Sequence, residues 1–261
     1  MNAPQSTKAQ ERAEFFDALK KGLLLGAVIL MFAIPWIRPG QSPTSVAPVT
    51  RPAPALKPER IATGRLAEFG ADNPSPEARH VANWAVFTGD HQNKSPVILD
   101  KKNATVYVFG PDGKLKASTP VLLGAAMGDE NAPGIGDKPL SAVQPEEKTT
   151  AAGRYVAELG VNASGEDVVW VDYNAALSMH RVRPLVKEER RLERLASPTV
   201  DDNRISYGCI NLPVDFYENV LSPTVKTTGA VIYVLPETRT PQEVFGSYEV
   251  PPQIKVATTQ R

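Results

Sequence analysis

The stretch VILDKKNATVYVFGPDGKLKASTPVLLG, Val97 to Gly124, alternates apolar and polar residues with a period of two and is broken by the turn Pro111-Asp112-Gly113. Side chains of a strand point alternately to its two faces, so this period predicts a run of hairpin-forming strands over VILDKK, TVYVFG, KLKAS and PVLLG. Further strands are expected at GRYVAEL, DVVWVDY and ALSMHRV, and a last one from Ala230 to Leu235.

Two helices frame this pattern. In SPEARHVANWAVFT, Ser75 to Thr88, Ser75 is placed to cap, Pro76 suits the first turn and Glu77 faces the positive end of the dipole. Val81, Trp84, Ala85 and Thr88 then share a face. A second short helix is expected from Pro213 to Leu221, with Phe216, Val220 and Leu221 inward. Leu185 to Leu195, LVKEERRLERL, reads as an amphipathic helix with Leu185, Leu192 and Leu195 near one face. It is either a solvated surface helix or a lid whose Arg190, Arg191 and Arg194 meet substrate carboxylates. Beyond Pro236 periodicity fades, and the tail at 237–261 reads as an irregular wrap or a disordered end. The fold class expected is therefore mainly β, a mixed sandwich or barrel-like domain with a few short helices, plus one N-terminal transmembrane helix.

That transmembrane helix is read from GLLLGAVILMFAIPWI, Gly22 to Ile37, which carries no charge and lies near the short end of what crosses a hydrocarbon layer of roughly 30 Å. Lys20 and Lys21 precede it, with Lys8 and Arg12 upstream, which keeps residues 1–21 cytoplasmic and exports the rest. No small-x-small site follows Ile37 directly, which favours an uncleaved anchor in the inner membrane; Ser45-Val46-Ala47 leaves cleavage and release to the periplasm open. From Arg38 to Pro58 six prolines stand among Ser, Thr, Ala and Val, a composition that extends rather than packs. The map is thus a linker at 38–60, a helical lead-in at 61–95 and a folded domain at 96–236. Lys and Arg number 29 and Asp and Glu also 29, so net charge gives no pull toward nucleic acid.

One cysteine rules out an intramolecular disulfide. A lone thiol in an oxidising compartment is explained by burial or by chemistry. Cys209 sits in Arg204-Ile205-Ser206-Tyr207-Gly208-Cys209-Ile210-Asn211, where a strand-like lead ends in glycine directly before the thiol and frees backbone N–H groups for an oxyanion. An efficient cysteine nucleophile needs a base beside it. His80 on the polar side of its helix and His91 in the following loop are ordinary surface positions. His180 ends the strand ALSMH, with Leu177 and Met179 on one face and Ser178 and His180 on the other.

Ser206-Tyr207-Gly208-Cys209-Ile210-Asn211 resembles the cysteine signature of the YkuD-type L,D-transpeptidases, usually serine or threonine followed by His-Gly-Cys, and His180 resembles their upstream histidine. The resemblance runs over roughly Val97 to Pro236, with TTAAGRYVAELG similar to the family's Thr-Pro-x-Gly strand. Tyr207 replaces the signature histidine, and the stretch from His180 to Cys209 is longer than is usual, as an inserted helix at Leu185 to Leu195 would make it.

The resemblance implies a Cys209 thiolate that attacks the carbonyl after the L-centre of diaminopimelate in a peptidoglycan tetrapeptide stem, releasing D-alanine and leaving a thioester. His180 is then the general base. Ser206, Tyr207 and Gly208, with the Cys209 amide, are the oxyanion and orienting candidates, and Arg204 and Asn211 the substrate-binding ones. The acceptor is a stem amine, a D-amino acid, a lipoprotein lysine or water, so an L,D-hydrolase and a catalytically weak wall-binding module stand as alternatives. No cofactor and no metal are implied.

Overall fold

The computed structural model describes residues 64–251. The expectations for 1–21, 22–37, 38–60 and the last residues of the tail lie outside them. Among the described residues no helix is long and apolar enough to cross a membrane.

The chain is sheet-rich with short helices. Helix α1 spans Pro76–Thr88. It is followed by strands β1 (Ser95–Asp100), β2 (Thr105–Phe109), β3 (Leu115–Pro120), β4 (Leu123–Gly124), β5 (Gly153–Val156), β6 (Glu158–Val161), β7 (Asp167–Asp172) and β8 (Leu177–Arg181). Helix α2 (Arg191–Ala196) leads to β9 (Arg204–Ser206) and β10 (Ile210–Leu212). The chain closes with α3 (Val214–Phe216), a π-helical turn Tyr217–Leu221, α4 (Ser222–Thr228), β11 (Ala230–Val234) and α5 (Pro241–Phe245).

Two sheets face each other. One has the order β3-β2-β1-β11-β5, the other β10-β8-β7-β6, and β4 pairs with β9 in a small parallel ladder. Between the sheets lies one core, in which Val97, Leu99, Val106 and Ile232 meet Val169, Val171, Leu177, Met179, Ile210 and Leu212. A second core lies on the opposite face of the five-stranded sheet, where Ile98, Tyr107, Phe109, Val231 and Tyr233 meet Val81, Trp84 and Ala85 of α1. Period two explains both: alternate residues of β1 feed opposite cores, so every residue of that strand is buried. The same holds for β11, which pairs with β1 in parallel from Ser95↔Ala230 to Leu99↔Val234. A strand sandwiched between a sheet and a helix reads as a continuous apolar run, as parallel neighbours usually do.

Local chemistry places α1 as its sequence requires. Ser75 Oγ accepts from the Ala78 amide at 3.1 Å and donates to Asp100 Oδ2 at 2.6 Å, tying the cap to the end of β1. Gly89 ends the helix in the left-handed region at φ 67°.

Some expectations change. The stretch PVLLG does not extend the hairpin: Pro120 ends β3, the Val121 amide turns back to Ala104 O at 2.8 Å, and β4 pairs with β9 instead. Leu185 to Leu195 is not one helix. A single 3₁₀ turn at Lys187–Glu189 stops at Arg190, whose φ of 48° breaks the helical path, and α2 starts after it. Of its three leucines only Leu195 is buried; Leu185 and Leu192 are exposed. The tail up to residue 251 lies over the domain with one short helix in it, where Thr240 and Glu243 form a capping box over α5 and Phe245 packs edge-on against Tyr233 at 5.9 Å. The helical path expected to end at Leu221 continues to Thr228, with the π-helical turn Tyr217–Leu221 lying directly ahead of Pro223.

Candidate active site

Cys209 stands immediately before β10, which runs parallel to β8 with Ile210↔Met179 and Asn211↔His180 in register. One step earlier in that register the thiol comes alongside Ser178, with Sγ to Ser178 Oγ 3.6 Å, and it donates to Ala176 O at 3.4 Å. Leu177 and Met179 fill the inter-sheet core, so Ser178, His180 and Cys209 lie on the outer face of the sheet.

The histidine is set by its own strand. His180 Nδ1 donates to Arg181 O at 2.7 Å; a carbonyl only accepts, so Nδ1 carries the hydrogen and Nε2 keeps the lone pair. Burial pushes the Cys209 thiol up, but interaction with His180, including the positive charge that the ring carries once it holds the thiol's proton, and with Ser178 outweighs burial and leaves the pKa below its ordinary value. This is the pairing an activated thiol nucleophile needs.

The turn carrying the thiol is pinned from behind. Ser206 Oγ accepts from the Gly208 amide at 3.1 Å and donates to Cys209 O at 2.6 Å. Ser206 therefore closes the turn and does not orient His180, a role taken by the Arg181 carbonyl. The Gly208 amide is engaged by Ser206, which leaves the Cys209 amide as the turn's oxyanion candidate. Gly208 has φ of 133°, and a Cβ there would lie 2.7 Å from Thr149 O. Thr150, which the sequence reading did not single out, donates from Oγ1 to Gly208 O at 2.6 Å and accepts from the Gly124 amide at 2.9 Å.

Arg204 and Asn211, expected at the substrate, are engaged inside the protein. Arg204 Nη2 donates to Lys101 O and to Glu237 Oε1. Asn211 is fully buried, donates to Cys209 O at 3.1 Å and accepts from Arg191 Nη1 at 2.6 Å. Arg191 and Arg194 are likewise spent on Glu189, Asn211 and Asp202, so no lid of free guanidinium groups faces a substrate there; Arg190 alone of the three is exposed. Tyr207 is 40% exposed, with Lys148 Nζ 4.3 Å above its ring.

The other histidines are not ordinary surface residues. His91 is buried and donates from Nδ1 to Lys94 O at 2.7 Å, and its desolvation lowers its pKa. His80 lies under the tail, bonded to Ser247 Oγ at 2.9 Å and paired with Glu249 at 3.0 Å. Neither lies at the thiol.

Behind Thr150 sits a buried charge cluster. Lys101, fully buried, donates to Gly128 O, Asp129 Oδ1 and Thr150 O, and burial pulls its pKa down to about 8 against the opposing pull of Asp129. Burial raises Asp129, but the Thr238 hydroxyl and amide, Lys101 and the Arg239 amide hold it down to about 2.

Two clefts adjoin the thiol's neighbours. One, about 450 Å³, is lined by His180, Arg181, Asp167 and Leu185. The other, about 550 Å³, is lined by Ala176, Trp170, Tyr173 and Asn174. Among the described residues no cluster of His, Cys, Asp and Glu is placed to hold a metal.

No family model matches the sequence, and no curated protein matches it. Among solved structures, the chain is similar to the catalytic domain of the Enterococcus faecium L,D-transpeptidase, at 15% identity and a TM-score of 0.33, over 55% of this chain and 98% of that one. It is similar also to an L,D-transpeptidase from Mycobacterium smegmatis, at 17% identity and a TM-score of 0.30, over 54% and 58%. A third is the helical cell shape determining protein Pgp2 from Campylobacter jejuni, at 15% identity and a TM-score of 0.34, over 56% and 49%. The chain spans about half the length of Pgp2 and of the other longer structures it matches.

Proposed function

We propose that this domain is a cysteine acyltransferase of the L,D-transpeptidase type, acting on peptide stems of the cell wall. The observation that carries it is the Cys209 thiol beside His180, whose ring is fixed by the Arg181 carbonyl with Nε2 left to take a proton. The sequence around Cys209, which resembles the YkuD-type signature, supplies the substrate class.

In the first half-reaction His180 Nε2 takes the thiol proton and Sγ attacks the stem carbonyl. The oxyanion forms near the Cys209 amide, the C–N bond to D-alanine breaks, and His180 returns its proton to the leaving amine. In the second half-reaction an acceptor amine attacks the thioester, His180 takes the amine's proton, and the thiolate leaves. A transferase must seat two substrates at one carbonyl. The clefts reached from His180 and from Ala176 favour that reading over the hydrolase. Anchoring by residues 22–37 in the inner membrane, with the domain in the periplasm, belongs to the same proposal, as does a lipoprotein lysine as an alternative acceptor.

Intact-mass spectrometry of the purified chain with a carbapenem, a reactive acyl donor, tests the reading. An adduct present in the native protein and absent from Cys209→Ala is expected. A native protein that stays unmodified while its thiol remains free to alkylation would leave a wall-binding module.

A further inference from the structure

The outer face that carries the thiol continues past Ser178. In the β7–β8 ladder Trp170 pairs directly with Ser178, and cross-strand partners share a face. The row Cys209, Ser178, Trp170 thus crosses three neighbouring strands, and two strand spacings put Trp170 about 10 Å from the nucleophile along the sheet. The row ends on Glu158 of β6, the exposed edge strand.

Trp170 is half-buried, and Tyr173, 69% exposed, stands edge-on to it with ring centroids 5.1 Å apart. Gly160 makes the seat of the indole, since a Cβ there would lie 2.6 Å from Trp170 Nε1. Clefts open on both sides of this pair, about 400 Å³ on one and 550 Å³ on the other, and Trp170, Tyr173 and Asn174 line both. Gly136 brings the Ile135–Asp137 turn against Asn174, where any Cβ would overlap the Asn174 carbonyl, so the second cleft has a built wall. Exposed Glu158, Asp137 and Asn174 supply hydrogen-bonding groups around the rings.

We propose that Trp170 and Tyr173 form a carbohydrate subsite that seats a pyranose ring of the substrate while Cys209 attacks the attached peptide. A pyranose presents one apolar C–H face and a rim of hydroxyls. An aromatic plane ringed by carboxylates and an amide matches both, whereas an apolar peptide would leave those polar groups unpaired. A polyanion would meet Glu158, Asp137 and Asp172. The inference rests on the acyltransferase reading for its link to Cys209 and adds where on the domain the glycan attached to the stem is seated.

Calorimetric titration of the full chain, in mild detergent, with the β-1,4-linked N-acetylglucosamine hexamer chitohexaose tests it, with the carbapenem adduct at Cys209 measured on the same samples. Expected are binding to the native chain, at least tenfold weaker binding to Tyr173→Ala and Trp170→Ala, and unchanged binding to Tyr248→Ala, which removes an exposed tyrosine elsewhere. Tyr173 is exposed enough that its loss leaves the fold intact. A native chain that fails to bind the hexamer, or variants that bind it equally well, would overturn the subsite; a Cys209 adduct in that case leaves the acyltransferase reading standing. Binding lost in both variants without any native adduct keeps the subsite and removes the acyltransferase.

Discussion

Thr150 Oγ1 donates to the Gly208 carbonyl at 2.6 Å and accepts from the Gly124 amide at 2.9 Å, so one buried hydroxyl joins β4 to the turn that bears the thiol. Its own carbonyl takes the Lys101 ammonium at 2.8 Å. The nucleophile is thereby held from behind by a residue that never touches it.

Thr150→Val keeps the volume and removes both bonds, leaving the Gly124 amide and the Gly208 carbonyl buried without partners. A stability loss of about 1–3 kcal/mol in chemical denaturation is expected, with slower carbapenem acylation; Thr150→Ser should restore both. Acylation that stays at the native rate in the valine variant would show that the turn holds itself.

His180→Gln removes the partner that brings the thiol pKa down. The midpoint of iodoacetamide alkylation against pH should move up from its native position, and carbapenem acylation should fall by about 10²–10⁴-fold. An unchanged alkylation profile would assign the thiol's acidity to Ser178 instead.

Gly208→Ala places a side chain at φ 133° with its Cβ 2.7 Å from Thr149 O. A cost of about 1–3 kcal/mol in thermal or denaturant unfolding is expected. A neutral result would mean that the 149–150 segment gives way easily.

Asp129 has a folded pKa of about 2, below the ordinary carboxylate value of 3.8, so it binds its proton less readily folded than unfolded. Its contribution is complete above about pH 4 and is lost as pH falls toward 2, amounting to about 2 kcal/mol. Asp129→Asn should be less stable at neutral pH and flatter in its acid unfolding curve between pH 4 and 2. An unchanged acid limb would place the acid-sensitive group elsewhere.

Much of this was legible in the residues. Strand periods and the Ser75, Pro76, Glu77 cap determine their elements locally, and β1 to β3 and α1 form where the pattern puts them. Cys209 and His180 stood out by residue type, and the parallel pairing of β10 with β8 sets them on the same face of one sheet. What stayed hidden depends on partners distant in sequence. Arg204 and Asn211 looked available because nothing in a linear reading reveals Glu237 or Arg191 beside them. His91 looked exposed because its loop is covered only once the sheet forms. The helix α5 was readable, since Thr240, Pro241 and Glu243 carry the capping signature; the prolines of the tail masked it.

The parallel pairing of β1 with β11 sets when the centre comes into being. Thr150 is gripped by Lys101, which follows β1 directly, and β1 is flanked on one side by a strand made after every residue named at the thiol. A nascent chain that has just released Gly229 already encodes nucleophile, base and turn, yet both cores still lack β11. Such distant closure is slow relative to local hairpins. The thiol is therefore armed late in the protein's life history, and clipping the chain before Ala230 would disarm it without touching a single residue of the chemistry.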